Sequence, residues 1–288
     1  MHAHDADVGV GRKFTMRESG YIKCSPGGNI TGLVFAEVPR GEQASVARLI
    51  MASQPDVEQV GFVERPNDPK AVARLQMMGG EFCGNATRSL AWVLWHKRRR
   101  GIDTSGRTVT LEVSGVARPL SVEIHDKMVR VEMPIKKELS SMKSIKGQTV
   151  VELEGISHVV LRRAAPRDAK EEANRLLDEL GLKSLEAAGV LYCEQYEDGV
   201  SMSPIVWVRE MATLVEETAC ASGTVCVALV ESANAGRSVD NLKVYQPSGS
   251  VITASVEFGK GQFLRAFIEG PVEILEEGEL GPSILEGE

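Results

Sequence analysis

The sequence predicts an α/β (α+β) protein of two similar halves, each wrapping β-strands around a central helix. Three observations carry that prediction. Strand-like segments outnumber helical ones along the 288 residues. Two of the helical stretches are apolar around most of their circumference for about two turns, and such a helix has to be enclosed by other structure. The residues leading into those two helices repeat: EFCGNAT (81–87) and ETACASGT (217–224) each place an acid, a cysteine, small residues and a threonine ahead of the apolar run.

The strands follow from composition and alternation. YIKC (21–24), LVFAEV (33–38) and VGFVE (60–64) carry β-branched and aromatic residues between turn signals. TVTLEV (108–113), LSVEI (120–124) and VRVEM (129–133) alternate apolar and polar positions, and Asp126-Lys127 reads as a hairpin turn between the last two. Later come HVVLR (158–162), VLYCEQY (190–196), PIVWVRE (204–210) and TLVEE (213–217). The last group is NLKVYQ (241–246), SVITASVEF (250–258), FLRAFIEG (263–270) and PVEIL (271–275). Ala44–Ala52 predicts a helix, and Asp168–Glu179 an amphipathic surface helix. The two enclosed helices follow Cys83 and Cys220. Lys97–Arg100 suit the C-terminus of the first by their charge, and Asn234-Ala235-Gly236 supplies a C-cap for the second. SPGGN (25–29) and QPSGS (246–250) also echo each other, each joining two strands, so an internal duplication is predicted.

Length favours roughly two domains of about 150 residues. The composition, 43% hydrophobic and 25% charged, is that of an ordinary globular protein. A net charge of -7 argues against nucleic acid or an anionic membrane as the main partner. No apolar run reaches membrane-spanning length. Residues 1–17 are polar and irregular, lack the apolar core of a signal peptide, and are expected to form a flexible tail. The five cysteines form no disulfide scaffold and no zinc-spaced cluster, so free thiols in a reducing, cytoplasmic setting and no metal are expected.

A cysteine in the first turn of a helix sits where unpaired backbone N–H groups and the macrodipole favour negative charge, and such placement lowers a thiol pKa from about 8.5 to roughly 3.5–7.5. One such thiol could be a nucleophile. A symmetric pair suits the inversion of a stereocentre, which needs a base on one face of a carbon and an acid on the other. Two helix N-termini facing one gap would bind a carboxylate and stabilise the charge that develops as the α-proton leaves. A cysteine beside an apolar helix is more often a buried structural residue. That reading is applied to Cys24, Cys193 and Cys226; for Cys83 and Cys220 the repeated context favours chemistry.

These residues resemble the diaminopimelate epimerase and proline racemase superfamily over most of the chain, from about Tyr21 to Leu275. EFCGNAT carries the resemblance most strongly and CASGT second. SPGGN, EQVGF (58–62), GGEFCGNAT (79–87) and QPSGSVITAS (246–255) are most similar to its histidine racemase branch. The resemblance implies an isomerase that works without pyridoxal phosphate or other cofactor. Its halves would be 18–122 plus 263–288, and 123–262, with the site in the cleft between them and a homodimer as a common assembly. By position, Cys83 and Cys220 correspond to the acid/base pair. Asn29 and Gln59 correspond to substrate-contacting residues, and Gly84 with Asn85 and Ala221 with Ser222 to carboxylate donors. His158 corresponds to a histidine that tunes the thiols, and Glu217 to the acceptor of the substrate ammonium. Asn29 could instead be a turn residue tolerating positive φ, His158 a core histidine, and Glu216 could take the place of Glu217.

Departures narrow the substrate. Diaminopimelate epimerases usually carry an arginine directly after the ammonium-binding glutamate, where Thr218 stands here. Ile156-Ser157 replaces the usual asparagine-proline before the histidine, and the family's asparagine near Gly189 is absent. A distal carboxylate and ammonium without fixed partners would be desolvated uncompensated. Proline racemases carry a histidine where Asn85 stands. The expected function is therefore a cofactor-independent racemase of a free amino acid, with histidine leading. The alternatives are another amino acid such as diaminopimelate, a same-fold isomerase of a non-amino-acid carboxylate, a non-catalytic binder, or a redox-sensing dithiol protein.

Overall fold

The computed structural model describes residues 20–98, 107–281 and 284. The expected tail, 1–17, lies outside them, as do the last two residues of the 97–100 cationic run. The chain runs β1 (Gly20–Ser25), β2 (Thr31–Val34), α1 (Arg40–Ser53), β3 (Gln59–Glu64), β4 (Ala73–Met77), α2 (Gly84–Arg98), β5 (Thr108–Val113), β6 (Leu120–His125) and β7 (Met128–Glu132). It continues with β8 (Met142–Ile145), β9 (Gln148–Glu152), β10 (Ser157–Leu161), α3 (Ala169–Glu179), β11 (Ala187–Tyr196), β12 (Gly199–Val208) and β13 (Thr213–Glu216). The last elements are α4 (Ala221–Ala235), β14 (Val239–Tyr245), β15 (Val251–Gly259), β16 (Gln262–Pro271) and β17 (Glu273–Glu279).

The duplication is written into the strand ladder. From β1 to β7 each strand pairs with the next, in the order antiparallel, parallel, antiparallel, parallel, antiparallel, antiparallel. From β9 through β10, β11, β12, β14 and β15 to β16 the same order recurs. In each series a surface helix, α1 or α3, bridges the first parallel pair, and an enclosed helix, α2 or α4, bridges the second. Parallel neighbours need such crossovers. The two series join where β7 pairs with β16, Ile268 opposite Val131. The boundaries expected after residues 122 and 262 fall inside β6 and at the first residue of β16.

Local sequence explains most elements. β6 alternates buried and exposed residues along LSVEIH, and Asp126 at its hairpin turn takes φ +55. α3 buries Ala169, Ala173 and Leu177, four apart, on one face. α4 is buried from Ala221 through Val230 and ends at Gly236 in the left-handed conformation, as the cap residues predict. Three strands escape sequence reading: β4, β8 and β9 are short and rich in polar residues. The expected strand over 33–38 stops at Val34. Phe35, Ala36 and Val38 are buried in packing instead, and α1 begins at Arg40, directly after Pro39, rather than at Ala44. The largest apolar cluster surrounds α2 and α4, and smaller clusters lie under α1 and α3.

Candidate active site

α2 and α4 start within contact of each other. A Cβ placed on Gly84 would stand 2.9 Å from the Cβ of Ala221, so only glycine lets the two helix N-termini approach this closely. Cys83 and Cys220 immediately precede these residues. The Cys83 Sγ accepts the N–H of Ala86 at 3.4 Å, and the Cys220 Sγ accepts that of Gly223 at 3.3 Å. The threonine four residues on, Thr87 or Thr224, donates its hydroxyl to the cysteine carbonyl at 2.7 Å in both places. The two echoing turns also meet: Ser248 donates its hydroxyl to the Gly27 carbonyl at 2.7 Å.

One cavity opens beside the paired helix ends. Nine of the ten residues marked in the sequence line it: Asn29, Gln59, Cys83, Gly84, Asn85, Glu217, Cys220, Ala221 and Ser222. The tenth, His158, lies behind the wall. Its Nε2 is 2.8 Å from the Ser222 hydroxyl, which is in turn 3.4 Å from the Cys220 Sγ. His158 is wholly buried, and burial drives its pKa down to about 3, so the ring is neutral near pH 7. Its Nδ1 has no hydrogen-bond partner, and a Cβ on Gly189 would fall 2.4 Å from that nitrogen. His158 thus reaches Cys220 through Ser222 alone, while also filling core space. Glu217 lines the cavity and Glu216 is exposed, which separates those two candidates.

Asn29 takes φ +51, as a turn residue can, yet its side chain also sits at the centre of the amide network. Its Oδ1 accepts from Gln59 Nε2 and from Asn85 Nδ2, the latter at 3.1 Å, and its Nδ2 donates to Glu58 at 3.3 Å. Gln59 presents its Oε1 to the Cys83 thiol at 3.0 Å. Asn85 also donates to the Ala219 carbonyl at 3.1 Å, tying the two cysteine segments together. Glu58 spans the same gap by accepting the Thr218 N–H at 2.9 Å.

Besides Glu58, sequence reasoning missed three participants. Arg88 is fully buried in α2 and donates to Asn85 Oδ1 at 2.8 Å and to the Pro26 and Pro271 carbonyls. It fixes which end of the Asn85 amide donates into the site. Gln246 accepts the Cys220 N–H at 2.9 Å. Glu81 is buried in the cavity wall, and its Oε2 has no partner. Glu81 was visible only as the acid ahead of a repeated motif; its burial was not.

Electrostatics correct one expectation. Both thiols are pushed up, not down. Burial raises Cys83 to about 12, with Glu217 and Glu81 adding to the rise. Burial also raises Cys220 well above the ordinary thiol value, and the neighbouring Glu217 carboxyl raises it further. The helix-end N–H groups act in the expected direction but are outweighed. Burial similarly lifts Glu81 to about 7 and Glu217 to about 8, and each feels other acids nearby. The described residues hold no cluster of three or more metal-binding side chains. No helix among them is long and apolar enough to cross a membrane.

Comparison with known proteins agrees with this architecture. A family model described as the histidine racemase CntK N-terminal domain matches residues 18–280. A histidine racemase of Fusobacterium nucleatum is 30% identical over 274 residues, covering 90% of this chain and 96% of its own. A histidine racemase of Staphylococcus aureus is 27% identical over 246 residues, covering 82% and 88%. A probable proline racemase of Agrobacterium radiobacter shares the fold with a TM-score of 0.69 at 13% identity, over 93% of this chain and 95% of that one.

Proposed function

We propose that this chain, which belongs to the histidine racemase family, interconverts L- and D-histidine without a cofactor, with Cys83 and Cys220 as its paired base and acid. The observation that carries the proposal is the pair of identically capped thiols on two abutting helix ends that line one cavity. The substrate carboxylate would bind the N–H groups of Gly84 and Asn85 on one side and of Ala221 and Ser222 on the other. One cysteine, as thiolate, removes the α-proton from its face. The electron pair moves onto the carboxylate, where the helix-end donors hold the added charge. The opposite cysteine, as thiol, delivers its proton to the other face. The enzyme is left with its two protonation states exchanged, and the reverse reaction restores them.

The raised pKa values fit a site that ionises when filled. Burial and the carboxyl of Glu217 disfavour a thiolate at Cys220. A substrate ammonium beside Glu217 would cancel that charge and make proton loss from a cysteine easier. The acidic surroundings also favour histidine over diaminopimelate. Glu58, Glu81 and Glu217 all line the cavity, and Thr218, in place of an arginine, offers no cation to a distal carboxylate. The proposal extends to a cleft between two halves that closes on substrate, to a homodimer, and to a cytoplasmic location.

Incubation of freshly reduced protein with single L-amino acids in D₂O tests the proposal. Deuterium at Cα with D-isomer formation from histidine, lost on Cys83→Ser and on Cys220→Ser, is expected. Exchange with a different amino acid would overturn histidine and keep the two-thiol mechanism. No exchange with any of them would overturn both.

A further inference from the structure

The mechanism above uses neither Glu58 nor Glu81 of the cavity's carboxyls; Glu58 is held by Asn29 and Thr218, whereas Glu81 has no such side-chain tie. It stands two residues ahead of Cys83, just before α2, and is buried to 6% exposure. Its Oε2 is shielded from solvent and lacks any hydrogen-bond partner. A buried carboxyl oxygen without a partner is unusual enough to require an explanation. The backbone N–H groups of Glu81 and Gly79 favour its ionised form, but burial outweighs them, and the acids Glu186 and Glu217 both lie within electrostatic reach.

Its surroundings describe the missing partner. Oε2 lies beside Gly79 and the Val208 side chain, since a Cβ on Gly79 would fall 2.6 Å from each of them. Val208 lines the cavity with Met78, Val206 and Val215. A wall that is apolar apart from Thr213 and carries one unpartnered carboxyl oxygen fits a flat apolar ring with an N–H donor. It does not fit a carboxylate, which Glu81 would repel, or an aliphatic side chain, which would leave the oxygen unpaired. The ammonium end of the substrate already has Glu217.

We propose that Glu81 is the specificity-determining residue of the site, accepting a hydrogen bond from an imidazole N–H of the substrate side chain while the apolar wall at Val208 packs on the ring. This assignment rests on the racemase proposal and concerns the same cavity. A neutral imidazole bonds one oxygen of the carboxyl, and an imidazolium forms a charge-assisted pair with it.

The test is kinetic and uses the intact protein. Racemisation of L-histidine, 1-methyl-L-histidine and 3-methyl-L-histidine is measured with wild type and Glu81→Gln. The N–H groups of Gly79 and Glu81 lie near the carboxyl. An amide there would turn its oxygen toward them and its amino group into the cavity, presenting a donor to a donor. Wild type should disfavour at least one methylated ring by roughly 10- to 100-fold in kcat/KM, the size of a hydrogen bond to a charged group. Glu81→Gln should lose a similar factor on histidine, mostly in KM, and should no longer discriminate against that methylated ring. Equal losses on all three substrates, with discrimination kept, would show that Glu81 only supports the fold and would overturn the assignment. Wild type that accepts all three rings equally would overturn it too, whether or not the variant folds. Glu81→Asp, which keeps the carboxyl but draws it back, should raise KM for histidine and leave kcat near wild type; the opposite split overturns the assignment. Absence of α-deuterium from L-histidine with wild type would overturn the racemase proposal itself, and this assignment with it.

Discussion

The two cysteine-capped helix ends share a backbone and differ in what faces the sulfur. At Cys83 the neighbour is the neutral amide oxygen of Gln59, 3.0 Å away, and α2 carries the buried Arg88 five residues on. At Cys220 the neighbours are the Ser222 hydroxyl and the Glu217 carboxyl, and the residue five positions on is Val225. The caps themselves agree to about 0.1 Å, 3.4 against 3.3 Å for the N–H contact and 2.7 Å for both threonines. Duplication therefore supplies the symmetric part, two matched thiols, which the proposed mechanism uses as base and acid on opposite faces. Burial and Glu217 raise both thiols, and the neighbours that differ are Gln59 and Glu81 at Cys83 against the hydrogen-bonded Glu217 and Ser222 at Cys220.

The largest effect tests the shared part. Cys83→Ser and Cys220→Ser should each slow racemisation by about 10²–10⁴-fold, the usual worth of a positioned acid or base. Chiral chromatography reads the rate, and a variant with near wild-type turnover would break the two-thiol symmetry outright. The next effect tests Arg88, which has no counterpart in α4. Arg88→Met should cost about 2–4 kcal/mol in urea unfolding, because it strands two carbonyls and frees the Asn85 amide. A cost under about 0.5 kcal/mol, the usual range of a surface change, would mean that Asn85 needs no such support.

Glu217 tests the asymmetry itself. Glu217→Gln removes the charge that raises Cys220, so iodoacetamide should label Cys220 about tenfold faster per unit by which its pKa falls. Cys83, which has no hydrogen bond to Glu217, should change less; an equal change would erase the difference between the two ends. The same carboxyl makes the ligand-free protein pH-sensitive. Its folded pKa of about 8 exceeds the ordinary 4.5, so its contribution is full below about 4.5 and is lost as pH rises through 8. Tm should therefore fall between pH 5 and 9, and Glu217→Gln should flatten that fall. The smallest effect returns to the shared caps. Thr87→Val and Thr224→Val should each cost about 0.5–1.5 kcal/mol, and by similar amounts. Unequal losses would show that one helix end depends on its cap more than the other.

Much of this was legible without coordinates. Cys83 and Cys220, the two enclosed helices and the Gly236 cap follow from local pattern, because a buried helix must be apolar all round and a cap needs a particular residue. The echo of SPGGN and QPSGS was legible as similarity, and the structure brings the two turns into contact through Ser248 and Gly27. The strands β4, β8 and β9 were not legible: the short β4 becomes a strand by pairing with β5 on the far side of α2, and the polar β8 and β9 become strands by pairing with each other across the Lys146-Gly147 turn.

Sequence by itself determined the two cysteines at the helix starts, their repeated setting and the fold class, because these depend on residue type and spacing. Tertiary structure alone decided how readily those thiols ionise and the shape of the cavity they line. Burial outweighs the helix-end N–H groups at both thiols, puts His158 behind Ser222, and turns Glu81 from one acid among many into an unpartnered carboxyl in the cavity wall. Desolvation depends on everything packed around a group, and those neighbours come from all along the chain.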